Sequence, residues 1–205
     1  MNAPTQIPSQ YGSDHASMTA VARGELSCMS EIYENRHRSL FRFFFRLTRK
    51  QALSEDLVHE VFLRMIRYRH TYQTEGANNS PGAFEAWMYR IARNALVDHS
   101  RKHRHEVAPA QGQLELDQLE SIPSQRPTPF ESTAKRQDMA RLYRALRELP
   151  EEKRELLVLT RFEGLSHDQI GRILGCESNT VKGRVFRAMK ELGSIYSDLC
   201  KEKAS

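Results

Sequence analysis

Apolar side chains recur at helical spacing from Ser30 to about Arg104, and nowhere in that stretch do apolar and polar residues alternate as on a strand. Three amphipathic segments are legible. In the first, Leu40, Phe44 and Leu47 repeat at i, i+4 and i+7, and Phe41, Phe43 and Phe45 widen the stripe into a core face. The second is expected to open at Ser54, a residue type that caps helix N-termini, with Glu55 and Asp56 in the first turn, where carboxylates meet the positive end of the helix dipole. Its core stripe is Leu57, Val58, Val61, Phe62, Met65 and Ile66. Asp56, His59, Glu60, Leu63 and Arg67 form a charged row on another face, with a leucine set in its middle. Tyr68–Ala83 contains Gly, Asn-Asn and Ser-Pro and reads as a loop. Helix resumes at Phe84: Phe84, Trp87, Met88, Ile91 and Ala95 face a core, while Arg90, Asn94, Val97, Asp98 and Arg101 line the other side. The segment ends in the basic run Ser100–His105.

The pattern lapses between Glu106 and Arg136, where Pro109, Pro123, Pro127 and Pro129 disfavour helix and Glu115, Asp117 and Glu120 make the middle acidic. This is a flexible linker, with a short helix at Leu114–Leu119 as the one regular element it could hold. A second helical unit spans about Thr133 to Leu199, and residues 200–205 form a tail. Leu142, Leu146 and Leu149 mark a helix stopped by Pro150, which suits the start of the next, closed in turn by Gly164. Ser166 and Gln169 have the spacing of a capping box.

The stretch "LSHDQIGRILGCESNTVKGRVFRAM", Leu165–Met189, carries the most specific local signal. Glycine inside a helix costs about 1 kcal/mol relative to alanine, so Gly171 implies the close packing of two helices. Gly175 stands where a left-handed turn would end that helix, and Ser178, Asn179 and Thr180 suit the start of another. In the last helix Val181, Val185, Ala188 and Leu192 supply an apolar back. Thr180, Gly183, Arg184, Arg187 and Glu191 face outward, flanked by Lys182 and Lys190. An apolar back and a front of long hydrogen-bond donors are what a helix needs to enter the major groove in a helix-turn-helix.

Composition narrows the classes. The 205 residues contain 31 Lys and Arg against 26 Asp and Glu, a net charge of +5 that suits a polyanionic partner without requiring one. Cys28, Cys176 and Cys200 lie far apart, which suggests neither a disulfide framework nor a zinc site, and places the chain in the cytosol. His99, His103 and His105 stand among Arg101, Lys102 and Arg104, whose charge repels a cation, so no metal is expected. No run of about 18 apolar residues occurs, and membrane insertion is not expected. Residues 1–29, rich in Ser, Thr, Gln, Pro and Ala, are expected to be a mostly disordered extension. No phosphate-binding glycine loop, metal cluster or nucleophile with its base points to an enzyme, and no cofactor is implied.

Three segments in order, "SEDLVHEVFLRMIRYR", "FEAWMYRIARNALVDHSRKHRH" and "LPEEKRELLVLTRFEGLSHDQIGRILGCESNTVKGRVFRAMKEL", resemble regions 2 and 4 of the extracytoplasmic function (ECF), or group IV, sigma factors of the sigma-70 family. The resemblance implies an all-α chain of two small domains, a region 2 bundle at residues 30–105 and a region 4 helix-turn-helix at 133–199, joined by the linker at 106–132. It implies a subunit without an active site that binds bacterial core RNA polymerase and directs it to promoter DNA. Asp56, His59, Glu60 and Leu63 match the surface that docks on the beta-prime clamp helices. The family usually has glutamine in place of His59, so this chain adds a titratable group there. Tyr72, Arg90, Asn94, Asp98, Arg101, Lys102 and Arg104 are the expected minus-10 contacts, with Tyr72 as a stacking candidate and Trp87 assigned to the core. Thr180, Lys182, Arg184, Phe186, Arg187 and Lys190 are the expected minus-35 contacts, and region 4 is expected to meet the beta flap. The family often has serine at the position of Gly183. The Tyr68–Ala83 loop is longer than the compact Arg-Gly-Glu form common in the family, so base preference does not carry over. The acidic linker resembles the segment that threads the RNA exit channel, although a solvated spacer has the same composition. An anti-sigma factor is an expected partner.

The competing reading is a conventional regulator that uses the helix-turn-helix without polymerase and senses a ligand or dimerises through its N-terminal helices.

Overall fold

A computed structural model of the chain describes residues 11–72, 82–103 and 133–201. Among these residues every regular element is helical, as the periodicity requires: α1 (Tyr11–Ala22), α2 (Met29–Thr48), α3 (Gln51–Arg67), α4 (Ala83–Lys102), α5 (Thr133–Glu148), α6 (Glu151–Leu157), α7 (His167–Leu174) and α8 (Ser178–Lys201). Short 3-10 turns at Leu26–Cys28 and Arg69–Thr71 and a π-helical turn at Val158–Phe162 complete them. The linker at 106–132, including the helix expected at Leu114–Leu119, and the basic residues Arg104 and His105 lie outside the described residues.

The N-terminal expectation is corrected from Tyr11 onward: α1 is folded and packs on α2 and α4. Its composition looks unstructured because part of its inward face is polar. Met18 and Val21 are fully buried, but so is Asp14, whose carboxylate accepts hydrogen bonds from Arg36 Nε and, at 2.9 Å, from Asn35 Nδ2 of α2. Ser17 Oγ donates to Glu31 at 2.6 Å. A carboxylate is tolerated at 0% exposure only when it is paired and hydrogen-bonded in this way. Arg36 also donates to Glu85 of α4 at 2.7 Å, so one guanidinium ties three helices together. Burial opposes its charge, but Asp14 and Glu85 outweigh that and hold its pKa above the ordinary value.

The start of α3 also differs from expectation. Arg49 takes a left-handed conformation, φ 58°, and ends α2; Lys50, in extended conformation, then serves as N-cap, and α3 begins at Gln51. Ser54 is consequently buried in the first turns. Its hydroxyl donates to Lys50 O at 2.7 Å and lies 3.0 Å from Thr48 Oγ1. A serine hydroxyl can satisfy itself on a carbonyl of the preceding turn as readily as cap a terminus, and chain geometry at Arg49 decides between them.

In the second half Pro150 caps α6, and the capping box at α7 is complete, with Gln169 N donating to Ser166 Oγ at 3.2 Å and Ser166 N to Gln169 Oε1 at 2.7 Å. Gly175, φ 67°, ends α7 in the left-handed turn. The close approach at Gly171 is to that turn and not, as expected, to the body of a second helix: a Cβ there would lie 2.6 Å from Cys176 O, while Cys176 N donates to Gly171 O at 3.0 Å. Apolar residues of both halves, from Met18 to Leu199, form one continuous core.

Candidate functional site

Three exposed faces emerge from this packing. On α3 the buried stripe of Leu57, Val58, Val61, Phe62 and Met65 turns Asp56, His59 and Leu63 to solvent, with Glu60 half-buried at the edge. Leu63 is 59% exposed, which places a large apolar side chain in the middle of a polar row. That is the composition of a protein-docking patch, a central apolar anchor with a polar rim.

On α4 the same logic exposes Arg90, Asn94, Asp98, Arg101 and Lys102 while Trp87, Met88, Ile91 and Ala95 are buried. Sequence reasoning missed Arg64. It donates to Glu60 at 2.6 Å and to Asp98 at 2.7 Å, joining the α3 row to the α4 face and compensating a carboxylate set among cations. The Glu60–Arg64 spacing is a readable helical pair, but the Asp98 contact crosses helices and leaves no trace in sequence. At the end of α4, His99 and His103 stack with ring centroids 4.1 Å apart. Burial and the neighbouring cationic groups His103 and Lys50 lower the His99 pKa.

Tyr72 does not join this face. At 3% exposure it is part of the core, edge-on to Trp87 with centroids 5.1 Å apart, and its hydroxyl shares a 2.6 Å hydrogen bond with His15 Nδ1. Burial raises its pKa strongly. A ring enclosed by Trp87, Phe84 and α1 has no free face for a base, so the stacking expectation is withdrawn. Arg104 lies outside the described residues.

On α8, Val181, Val185, Ala188 and Leu192 are buried, and Thr180, Lys182, Arg184, Phe186, Arg187 and Lys190 are exposed. Phe186 is 72% exposed, so that its ring, like the arginines around it, is available to a groove. The nearest atom to a Cβ built on Gly183 is Arg187 Nη1 at 4.0 Å; packing does not demand glycine there. The α7–α8 helix-turn-helix thus presents one helix face of cations with an apolar centre, the pattern that contacts phosphates, base edges and thymine methyl groups.

Comparison with known proteins agrees with this division. Sigma-70 region 2 matches residues 32–106, and sigma-70 region 4 matches residues 139–192. The ECF RNA polymerase sigma factor SigE of Mycolicibacterium smegmatis is 32% identical over 200 residues, covering 94% of this chain and 72% of that protein. The chain belongs to the ECF sigma factors of the sigma-70 family. SigM of Bacillus subtilis, another ECF sigma factor, is 28% identical over 170 residues, covering 82% of this chain and 95% of its own. Two solved structures share the fold. CnrH in complex with the cytosolic domain of CnrY has a TM-score of 0.61 at 19% identity, covering 91% of this chain and 98% of that one. The sigma factor RpoE in complex with the anti-sigma factor NepR from Bartonella quintana has a TM-score of 0.59 at 24% identity, covering 82% and 96%.

The region 2 match falls on α2–α4 and the region 4 match on α5–α8, and α1 precedes the matched residues. No helix among the described residues is long and apolar enough to cross a membrane.

Proposed function

We infer that this ECF sigma factor binds core RNA polymerase and directs it to promoters through the three faces above. The region 2 unit, residues 11–103, docks on the beta-prime clamp helices through Asp56, His59, Glu60 and Leu63. It meets the minus-10 element through Arg90, Asn94, Asp98, Arg101, Lys102 and Arg104. Region 4 meets the beta flap and reads the minus-35 element through Thr180, Lys182, Arg184, Phe186, Arg187 and Lys190, and residues 106–132 connect the two. The protein acts as an initiation factor in the cytoplasm and catalyses no reaction of its own. An anti-sigma partner fits the same assignment, since RpoE, which shares the fold, was solved with one.

The observation that carries the reading is the presence on one chain of a region 2 match and a region 4 match, each with its exposed polar helix face. A regulator acting through the helix-turn-helix alone would leave the α3 and α4 faces without a use, and it is not favoured.

Transcription reconstituted with core polymerase over a promoter library tests the assignment. Promoter-specific transcripts should require both the polymerase and this chain. Arg187→Ala should weaken binding to the minus-35 element by about 1–3 kcal/mol, the range for one well-placed arginine contact, and leave thermal stability unchanged. Equal promoter binding at matched salt by this variant would refute the minus-35 assignment.

A further inference from the structure

The last turn of α4 and its C-cap carry two histidines that the three exposed faces leave without a use. His99 and His103 stand one turn apart, half-buried, with their rings stacked at 4.1 Å between centroids and 23° between planes. His103 Nδ1 lies 3.0 Å from His99 O. A carbonyl only accepts, so Nδ1 holds the proton, and a neutral His103 ring presents only a lone pair at Nε2. An anion needs a donor there, which the ring gains only with a second proton.

The charge around the pair is mostly cationic. Lys50 and Asp56 face His99 from the start of α3, and His103 and Lys102 face it from its own helix. Burial, His103 and Lys50 lower the His99 pKa against the pull of Asp56, which favours a neutral ring in the free chain. The carbonyl end of α4 favours a charged imidazole, but charged rings stacked beside Lys50 and Lys102 need a counter-anion. The same cations repel a metal ion. Lys50, Arg101 and Lys102 are all exposed, and a phosphate drawn to them brings its negative charge to the pair and reverses the balance.

We propose that His99 and His103, with Lys50, form a proton-linked contact to the DNA backbone, in which the imidazole pair takes up a proton from solvent as a promoter phosphate seats against the end of α4. This contact rests on the assignment of Arg101 and Lys102 to the minus-10 element. Duplex DNA carries one phosphate charge per about 1.7 Å of axis, so a backbone held by those two side chains sets further phosphates beside the same helix end. Binding and protonation then reinforce each other, since each favours the state the other needs.

The test is promoter binding by the reconstituted holoenzyme, read as fluorescence anisotropy of a labelled promoter duplex. It runs at constant ionic strength, with a chelator present, from about pH 8 to about pH 6, which brackets the ordinary histidine value. Affinity of the parent should rise several-fold as pH falls, within the limit of about tenfold per pH unit for one proton. The double variant His99→Gln with His103→Gln should flatten that rise, so that the gap between the two proteins widens toward low pH. Calorimetry in two buffers of different ionisation heat should count more protons taken up per complex by the parent than by this variant. His103→Arg, whose charge is permanent, should bind more tightly than the parent at about pH 8 and respond less to pH, and it checks the site should the double variant lose helix. Parallel curves, or a loss of affinity equal at every pH, overturn the proposal, because stacking that only finishes α4 has no proton dependence. Weaker binding by His103→Arg at the upper end of the range overturns it as well. Absence of a promoter complex at any pH is a different result, which sinks the minus-10 assignment and the histidine contact together.

Discussion

At the residue scale the helix-turn-helix depends most on Gly171. The carbonyl of Cys176 folds back over it, at 2.6 Å from where a Cβ would lie, so any side chain must displace backbone that also forms the Gly175 turn. Gly171→Ala is therefore expected to destabilise the chain by about 1–3 kcal/mol, the usual cost of overpacking, despite alanine's better helix propensity. Urea denaturation measures it, and a stability equal to or above the parent would show that the turn can yield. Gly183 is the counterpart, where a Cβ would meet nothing nearer than Arg187 Nη1 at 4.0 Å. Glycine stands there without a packing reason. The need for Gly171 was legible in sequence as an unexplained helix-interior glycine. The group that requires it, a turn carbonyl, was not, because sequence periodicity reports side-chain faces and is silent on where a loop's backbone returns.

At the element scale α1 is the main departure from expectation. A helix whose inward groups include Asp14, Ser17 and His15 has no strong apolar periodicity, so its stability is invisible until Arg36, Glu31 and Tyr72 supply the partners. Asp14→Ala would remove one of the two buried carboxylates that pair with Arg36, itself only 15% exposed, and leave Glu85 as the other. The expected loss is about 3–5 kcal/mol in denaturant-derived stability, the range for breaking a buried ion pair from one side. A loss under about 1 kcal/mol would indicate that α1 is peripheral to the region 2 core. The same cross-helix logic moved Tyr72 from a candidate base-stacking residue into the core and moved the start of α3 from Ser54 to Gln51.

At the scale of the whole molecule the buried carboxyls decide the pH response. Burial raises the pKa of Glu163, and the Tyr89 hydrogen bond and the cations Arg46, Arg42 and Arg36 only partly offset it. Burial likewise raises Glu155 and Glu85, with Arg93 and Arg36 respectively in opposition. A carboxyl that binds its proton more tightly in the folded chain gives a contribution complete below the ordinary value of 4.5 and lost as pH rises through the raised value. Stability of the folded chain is therefore expected to fall over that window as pH increases. Glu163→Gln, permanently neutral and still able to accept from Tyr89, should flatten the slope. Urea midpoints of parent and variant across the window check this, and parallel curves would refute it. His99 acts in the opposite sense, its lowered pKa costing stability as pH falls, and it cancels in the difference between the two proteins.

The sequence by itself determined the helical class, both units, the capping box and the three outward faces, because each follows from spacing along a single helix. Apolar residues at helical intervals define a buried stripe, and whatever lies opposite is exposed whichever partner covers the stripe. Only the tertiary structure decided which polar residues are spent inward, as with Asp14, Ser54 and Tyr72, and which charges meet across elements, as with Arg64 and Asp98. It also decided that Glu163 finds both of its side-chain partners in the other half of the chain. Those are pairings between positions far apart in sequence, with no periodicity to announce them, and they exist only once two helices have been brought to a common surface.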